Sequence, residues 1–201
     1  MRIIGLTGGI ASGKSAVAEL MTAAGIPVID ADQLSREAVL PGSTPLAFIA
    51  ETFGNSVIDT DGRLNREALA RIVFSDEPSR KRLEAILHPA IKSLAEQKLA
   101  DLQRSGAPAA IYMAALLIEA GATDRVDEIW VVYTDPETQL GRIQKRDGVS
   151  RENALKRVAA QMPMDEKAAC GRIVIDNCGT LDELKEKVAA VLIKEKIVPG
   201  N

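Results

Sequence analysis

The chain has 201 residues, a net charge of −3 and two cysteines, with 46% hydrophobic and 26% charged residues, the balance of a soluble globular protein with one sizeable core and room for an appended lobe. That balance excludes disorder, collagen-like repeats and a disulfide scaffold, while mild acidity and 3% aromatics speak against a nucleic-acid partner, which needs a basic face or stacking platforms. No run nears the ~20 apolar residues of a membrane span, residues 1–5 carry no leader pattern, and Cys170 and Cys178 beside a single histidine make neither a CxxC pair nor a zinc cluster, so the expectation is a reduced cytoplasmic protein without a membrane partner.

The apolar run Arg2–Thr7 predicts a buried strand that runs straight into Gly8-Gly9-Ile10-Ala11-Ser12-Gly13-Lys14-Ser15. Residues 15–24 then carry Val17, Leu20, Met21 and Ala24 at helical spacing. Gly25 stops that helix, and Pro27 guards entry to a second strand, Val28–Asp30. Strand, glycine loop, helix and strand make a βαβ unit and imply a parallel sheet. From 31 to about 105 no strand is expected, only helical segments punctuated by Pro41-Gly42, Asn55, Asp61-Gly62 and Pro78. The stretch 79–103 is helical, and His88-Pro89 predicts a kink or break in it, because proline removes a backbone donor. The region reads as a helical insertion beside the sheet. The α/β pattern returns with strands Ala109–Met113 and Glu128–Tyr133 and helices over 136–146 and 150–161. A strand over 172–176 and a final helix from Leu181 to about Lys194 follow.

Gly8-x-x-x-x-Gly13-Lys14-Ser15 matches the phosphate-binding loop in full. The glycines open backbone conformations closed to other residues, so that the amides of Ala11 through Ala16, with Ser12 among them, can turn inward around phosphates. The following helix adds its amino-terminal partial charge. Lys14 would neutralise the β- and γ-phosphates, and the Ser15 hydroxyl would complete a Mg²⁺ shell. The guanine-reading Asn-Lys-x-Asp of signalling GTPases is absent, Asp59-Thr60-Asp61-Gly62 follows no core strand, and a motor or transporter ATPase needs more chain. A small ATP-using kinase remains.

A kinase needs an acidic group near the attacking hydroxyl. Asp30-Ala31-Asp32 ends the second strand, and carboxylates at i and i+2 of an extended segment point the same way. The residues alone leave open whether Asp32 is that group or caps the helix beginning near Gln33. Arg142 and Arg146 stand four apart on one helix, with Arg151 and Arg157 following; such guanidinium groups can clamp a transferring phosphoryl, though by spacing alone they read first as a solvated face of Glu/Arg pairs. His88 reads as structural from composition.

Taken together these residues resemble the dephospho-CoA kinase family through nearly the whole chain. The resemblance rests on Leu6-Thr7-Gly8-Gly9-Ile10, Val28-Ile29-Asp30-Ala31-Asp32, Asp61-Gly62-Arg63-Leu64-Asn65-Arg66 and Leu83-Glu84-x-Ile86-Leu87-His88-Pro89. It continues through Glu137-Thr138-Gln139-Leu140-x-Arg142, Gln144-Lys145-Arg146-Asp147, Gln161 and Val174-Ile175-Asp176-Asn177. It implies an α/β P-loop kinase core with a parallel sheet flanked by helices, plus a helical CoA-binding insertion and a helical lid. The expected division is a core of 1–30, 106–135 and 171–201, a substrate domain of 31–105 and a lid of 136–170. The implied reaction is transfer of the ATP γ-phosphoryl to the ribose 3′-hydroxyl of dephospho-CoA, the last step of CoA biosynthesis, with Mg²⁺, in a monomer, a homo-oligomer being left open.

By the same resemblance Asp32 is the catalytic carboxylate, with Lys14 and Arg142 beside it. Arg142, Arg146 and Asn177 join the loop in binding ATP, while Thr7, Asp32, Arg66, His88 and Glu119 line the substrate side. The rivals are another small-molecule kinase on the same core, for nucleotides or nucleosides, and a nucleotide-sensing module without turnover. Two departures stand out. Ala115 replaces a proline of the family pattern, and Gly171-Arg172 replaces Ala-Asp. The second is expected to reverse a charge close to the nucleotide end and to alter packing or affinity, with the reaction unchanged.

Overall fold

The computed structural model describes residues 1–197. The chain divides into two compact units, 1–30 with 102–201 and 31–101.

The first unit is built on a parallel sheet of β1 (Arg2–Thr7), β2 (Val28–Asp30), β3 (Ala109–Met113), β4 (Glu128–Tyr133) and β5 (Ile173–Asp176), in the order β2-β3-β1-β4-β5. Parallel strands carry helices on both faces, so their sequences are continuously apolar: all five residues of β3 are buried. α1 (Lys14–Ala23) and α9 (Leu181–Lys194) pack Val17, Met21, Leu184 and Val188 against Ile4, Leu6, Trp130 and Ile175. The strand order reverses about β1, which brings the loop after β1 to the crevice where ligands of open α/β sheets bind.

Three further helices belong to this unit, α6 (Pro136–Asp147), α7 (Arg151–Ala159) and α8 (Met164–Ala169). Asp135 caps α6, accepting the Thr138 N–H at 2.9 Å, and Ser150 caps α7. The helix expected over 150–161 therefore stops at Ala159, and Pro163 opens α8, which was not anticipated.

The second unit holds α2 (Ala31–Glu37), α3 (Thr44–Phe53), α4 (Arg66–Ser75) and all but the last residues of α5 (Glu77–Arg104). Val39, Leu46, Ile49, Val57 and Leu69 form its core. Ser43 and Asn65 cap α3 and α4 through the N–H groups of Leu46 and Ala68. The expected break at His88-Pro89 does not occur: α5 runs unbroken through Pro89. Pro89 and Ala85 are both exposed, so water can take the carbonyl that the missing N–H leaves over. Asp59 accepts the N–H groups of Asp61 and Arg63 at 2.9 and 2.8 Å, which makes 59–63 a tight turn closed by an Ile58–Leu64 bridge.

Candidate active site

The loop between β1 and α1 has the conformation its sequence demands. Ala11 takes φ +58° and Gly13 φ +92°, both left-handed, a conformation that costs a residue with a Cβ about 1 kcal/mol or more. At Gly13 the lack of a side chain is doubly required, since a Cβ there would fall on Nδ2 of Asn177. The Ser12 N–H turns back to Gly9 O at 3.2 Å. Lys14 opens α1, and its ammonium donates to Gly8 O at 2.7 Å and Gly9 O at 3.1 Å. Ser15, beside it in the first turn, is exposed. The Ser12 hydroxyl is buried without a hydrogen-bond partner, although buried polar atoms almost always have one.

The carboxyl ends of β4 and β5 frame this loop. Asn177 is buried and donates from Nδ2 to Ser12 O at 2.7 Å. Thr134, fully buried, has its hydroxyl 3.2 Å from the carbonyls of Ser12 and Asn177 and accepts from Arg142 Nη1 at 3.3 Å. Arg142 is thus aimed toward the loop, and its Nη1 lies 4.0 Å from where a Gly13 Cβ would stand. Asn177, expected among the ATP-binding residues, has its side chain on the loop backbone. Arg146 has its guanidinium bidentate on Asp147 at 2.7 and 3.0 Å. Arg157 pairs with that same Asp147 and Arg151 with Glu137 at 2.7 Å. Within this cluster Arg146, Arg151 and Arg157 are paired with acidic residues, while Arg142 is held at Thr134 beside the loop.

On the β3 side, Thr7 is buried and donates to Ala115 O at 3.3 Å. Glu119 accepts from the Lys167 ammonium at 2.8 Å and from the Met162 N–H at 3.2 Å. Partial burial pushes the Glu119 carboxyl up, but the bonds from Lys167 and the backbone outweigh it and hold the group below the usual carboxylate range.

The strand geometry inferred for Asp30 and Asp32 does not hold. β2 ends at Asp30, and Asp32 stands exposed in the first turn of α2, so the two are not an i, i+2 pair of one extended segment. Arg66 and His88 belong to the second unit and are both exposed. Arg66 opens α4 and lines an apolar groove of about 220 Å³ with Leu64, Val73, Phe74, Leu83 and Leu87; His88 lies midway along α5.

Arg172 also departs from expectation. It precedes β5 at the amino-terminal edge of the sheet, opposite the phosphate loop, and binds Glu128 at 2.6 Å as well as Glu195. Arg2 binds the same two carboxylates at 2.7 and 2.6 Å. The arginine therefore adds a charge to a structural network and not to the nucleotide end.

Sequence reasoning missed Thr134, Met164 and Lys167. The available signal was a lysine spaced i+3 from Met164 on the buried side of α8, where a charge must find a partner.

A family model described as dephospho-CoA kinase matches residues 2–183. A dephospho-CoA kinase of Geobacter sulfurreducens is 59% identical over 96% of this chain and 98% of its own. Among solved structures, TT1252 from Thermus thermophilus aligns with a TM-score of 0.83 at 38% identity, covering 96% of this chain and 97% of that one. A dephospho-CoA kinase from Campylobacter jejuni aligns with a TM-score of 0.74 at 26% identity, covering 97% and 98%.

Proposed function

The chain belongs to the dephospho-CoA kinase family, and we propose that its phosphate loop, Lys14, Arg142 and Asp32 are what transfers the γ-phosphoryl of ATP to the ribose 3′-hydroxyl of dephospho-CoA. The reaction is the family's, the final step of CoA biosynthesis; the assignment of residues is the inference. The observation that carries it is the loop itself: a left-handed backbone at Ala11 and Gly13 opening onto α1, with a buried unpartnered hydroxyl at Ser12 and one arginine aimed at it.

In this reading the amides of Gly13 to Ala16 and the α1 amino terminus receive the phosphates. The Lys14 ammonium donates to charged phosphate oxygens, whose hydrogen bonds are stronger than those to neutral acceptors. Arg142, tethered at Thr134, meets the charge that spreads over the transferring group, so its stabilisation needs little reorganisation. Asp32 orients the 3′-hydroxyl and accepts its proton. Most of the rate then comes from position and charge rather than covalent chemistry.

The donor set also fits a magnesium ion. Ser15 offers an exposed hydroxyl, a hard oxygen donor in the first turn beside Lys14, and magnesium at such sites takes few protein ligands and keeps waters and phosphate oxygens. When bound there it supplies neutralisation of the phosphates. The groove lined by Arg66 and Phe74 is the seat proposed for the pantetheine arm, apolar enough for its chain, with a guanidinium at the rim. No helix among the described residues is long and apolar enough to cross a membrane; work in the cytoplasm is part of the proposal.

The test is ADP release with dephospho-CoA, AMP and adenosine offered separately. Selective turnover of dephospho-CoA to CoA is expected. Turnover of AMP or adenosine instead would keep the loop's role and remove the acceptor, and ATP binding without transfer would favour a sensor.

A further inference from the structure

α8 carries the least expected charge in the molecule. Lys167 is fully buried, and a buried ammonium is costly unless paired and hydrogen-bonded. It donates to Glu119 at 2.8 Å and to Ala115 O at 3.0 Å. The same segment reaches the phosphate loop through two other residues. Gln161 Oε1 accepts the Ile10 N–H at 2.7 Å, and Met164 Sδ accepts the Gly9 N–H at 3.1 Å. Thr7, the residue before the loop, closes the circuit by donating to Ala115 O. Only the lysine end of the pair is fully buried, the Glu119 side chain keeping 22% exposure; an ion pair that desolvates an ammonium contributes little net stability compared with well-packed apolar residues, so the arrangement calls for another use.

We propose that Lys167 is a positioning residue for nucleotide binding: with Glu119 it locks 161–167 between the loop after β3 and the phosphate loop, holding the Gly9 and Ile10 amides in register. Glu119 on this view is part of the brace and not a substrate ligand, because its carboxylate is taken up by Lys167 and by the Met162 N–H. Gly9 shows how closely the brace fits. A Cβ there would stand 2.8 Å from Met164 Sδ and 2.6 Å from Gln139 Nε2, closer than real side chains approach. The role rests on ATP being held by this loop, as proposed above.

The experiment compares Lys167→Met and Gln161→Leu with the unaltered protein. Gln161 is only partly buried, so its variant keeps the test informative where loss of Lys167 prevents folding. Both variants are expected to exchange the backbone amides of 8–14 faster and to raise KM for ATP by about tenfold, the order of a coupling between sites, with KM for dephospho-CoA moved far less. Unchanged exchange and unchanged KM for ATP, with only a lower Tm, would overturn the proposal and leave Lys167 as a core ion pair. Amide exchange reads the brace without turnover; failure of the kinase reading shows instead in the unaltered protein, as no ATP-dependent product.

Discussion

Lys14 and Asp32 differ in what their loss should cost. The Lys14 ammonium is already folded onto the loop carbonyls, so Lys14→Ala removes both a phosphate ligand and a contact that shapes the loop. We expect kcat to fall about 10²-fold or more, as for other preorganised electrostatic groups, with KM for ATP rising as well. Asp32 is exposed in the first turn of α2, where asparagine is tolerated. Asp32→Asn should fold and keep both KM values while kcat falls about 10²-fold, since only the carboxylate accepts a proton. ADP release in steady state separates the two, and a folded Asp32→Asn variant with near-normal kcat would remove Asp32 from the chemistry. Gly13→Ala makes a third case. Its Cβ would land on Asn177 and its backbone is left-handed, so ATP binding measured by calorimetry should be lost.

At the scale of elements, the ends of β1, β4, β5 and α9 are joined by Arg2, Glu128, Arg172 and Glu195. Chiefly the bond from Arg172, and then that from Arg2, pulls the Glu195 carboxyl down to about 2. A carboxylate depressed in the folded state stabilises it above the ordinary glutamate range, and that contribution fades as pH falls toward the folded value. Arg172→Ala should therefore lower the Tm near neutral pH, and the gap from the unaltered protein should close between about pH 5 and pH 2. Because the network lies at the edge opposite the phosphate loop, KM for ATP should not move. A gap that stays constant through acid titration would show that Arg172 acts by packing alone. This network was not legible in the sequence, since it gathers residues 2, 128, 172 and 195. What was legible is local: a strand, a glycine loop and a helix in immediate succession fix the phosphate site, and continuous apolar runs fix the buried strands. The break expected at Pro89 failed because its neighbours are solvent-exposed, and α8 was missed because six residues carry too little periodicity. The Asp30–Asp32 pairing failed because the strand gives way to helix at Ala31, two residues before the start near Gln33 that the spacing argument requires.

For the whole molecule, the division into two units suggests a division of the substrates. The first unit holds every group assigned to phosphate, and the second has its own core of Val39, Leu46, Ile49, Val57 and Leu69, enough to present a groove of fixed shape. Phe74 lines that groove yet is 86% exposed, so its ring contributes little to folding and has much area to bury against an acceptor. Covering a phenylalanine ring contributes about 1.5–3 kcal/mol, and each 1.4 kcal/mol is about a factor of ten in affinity. Phe74→Ser should thus lower kcat/KM for dephospho-CoA about tenfold or more, with the Tm and KM for ATP unchanged. An acceptor shortened to the nucleoside end should lose nothing further in this variant, because it never reached the ring. Equal losses for the full and the shortened acceptor would mean that Phe74 acts on the ribose end or on the shape of the unit, and the pantetheine arm would have to be seated elsewhere.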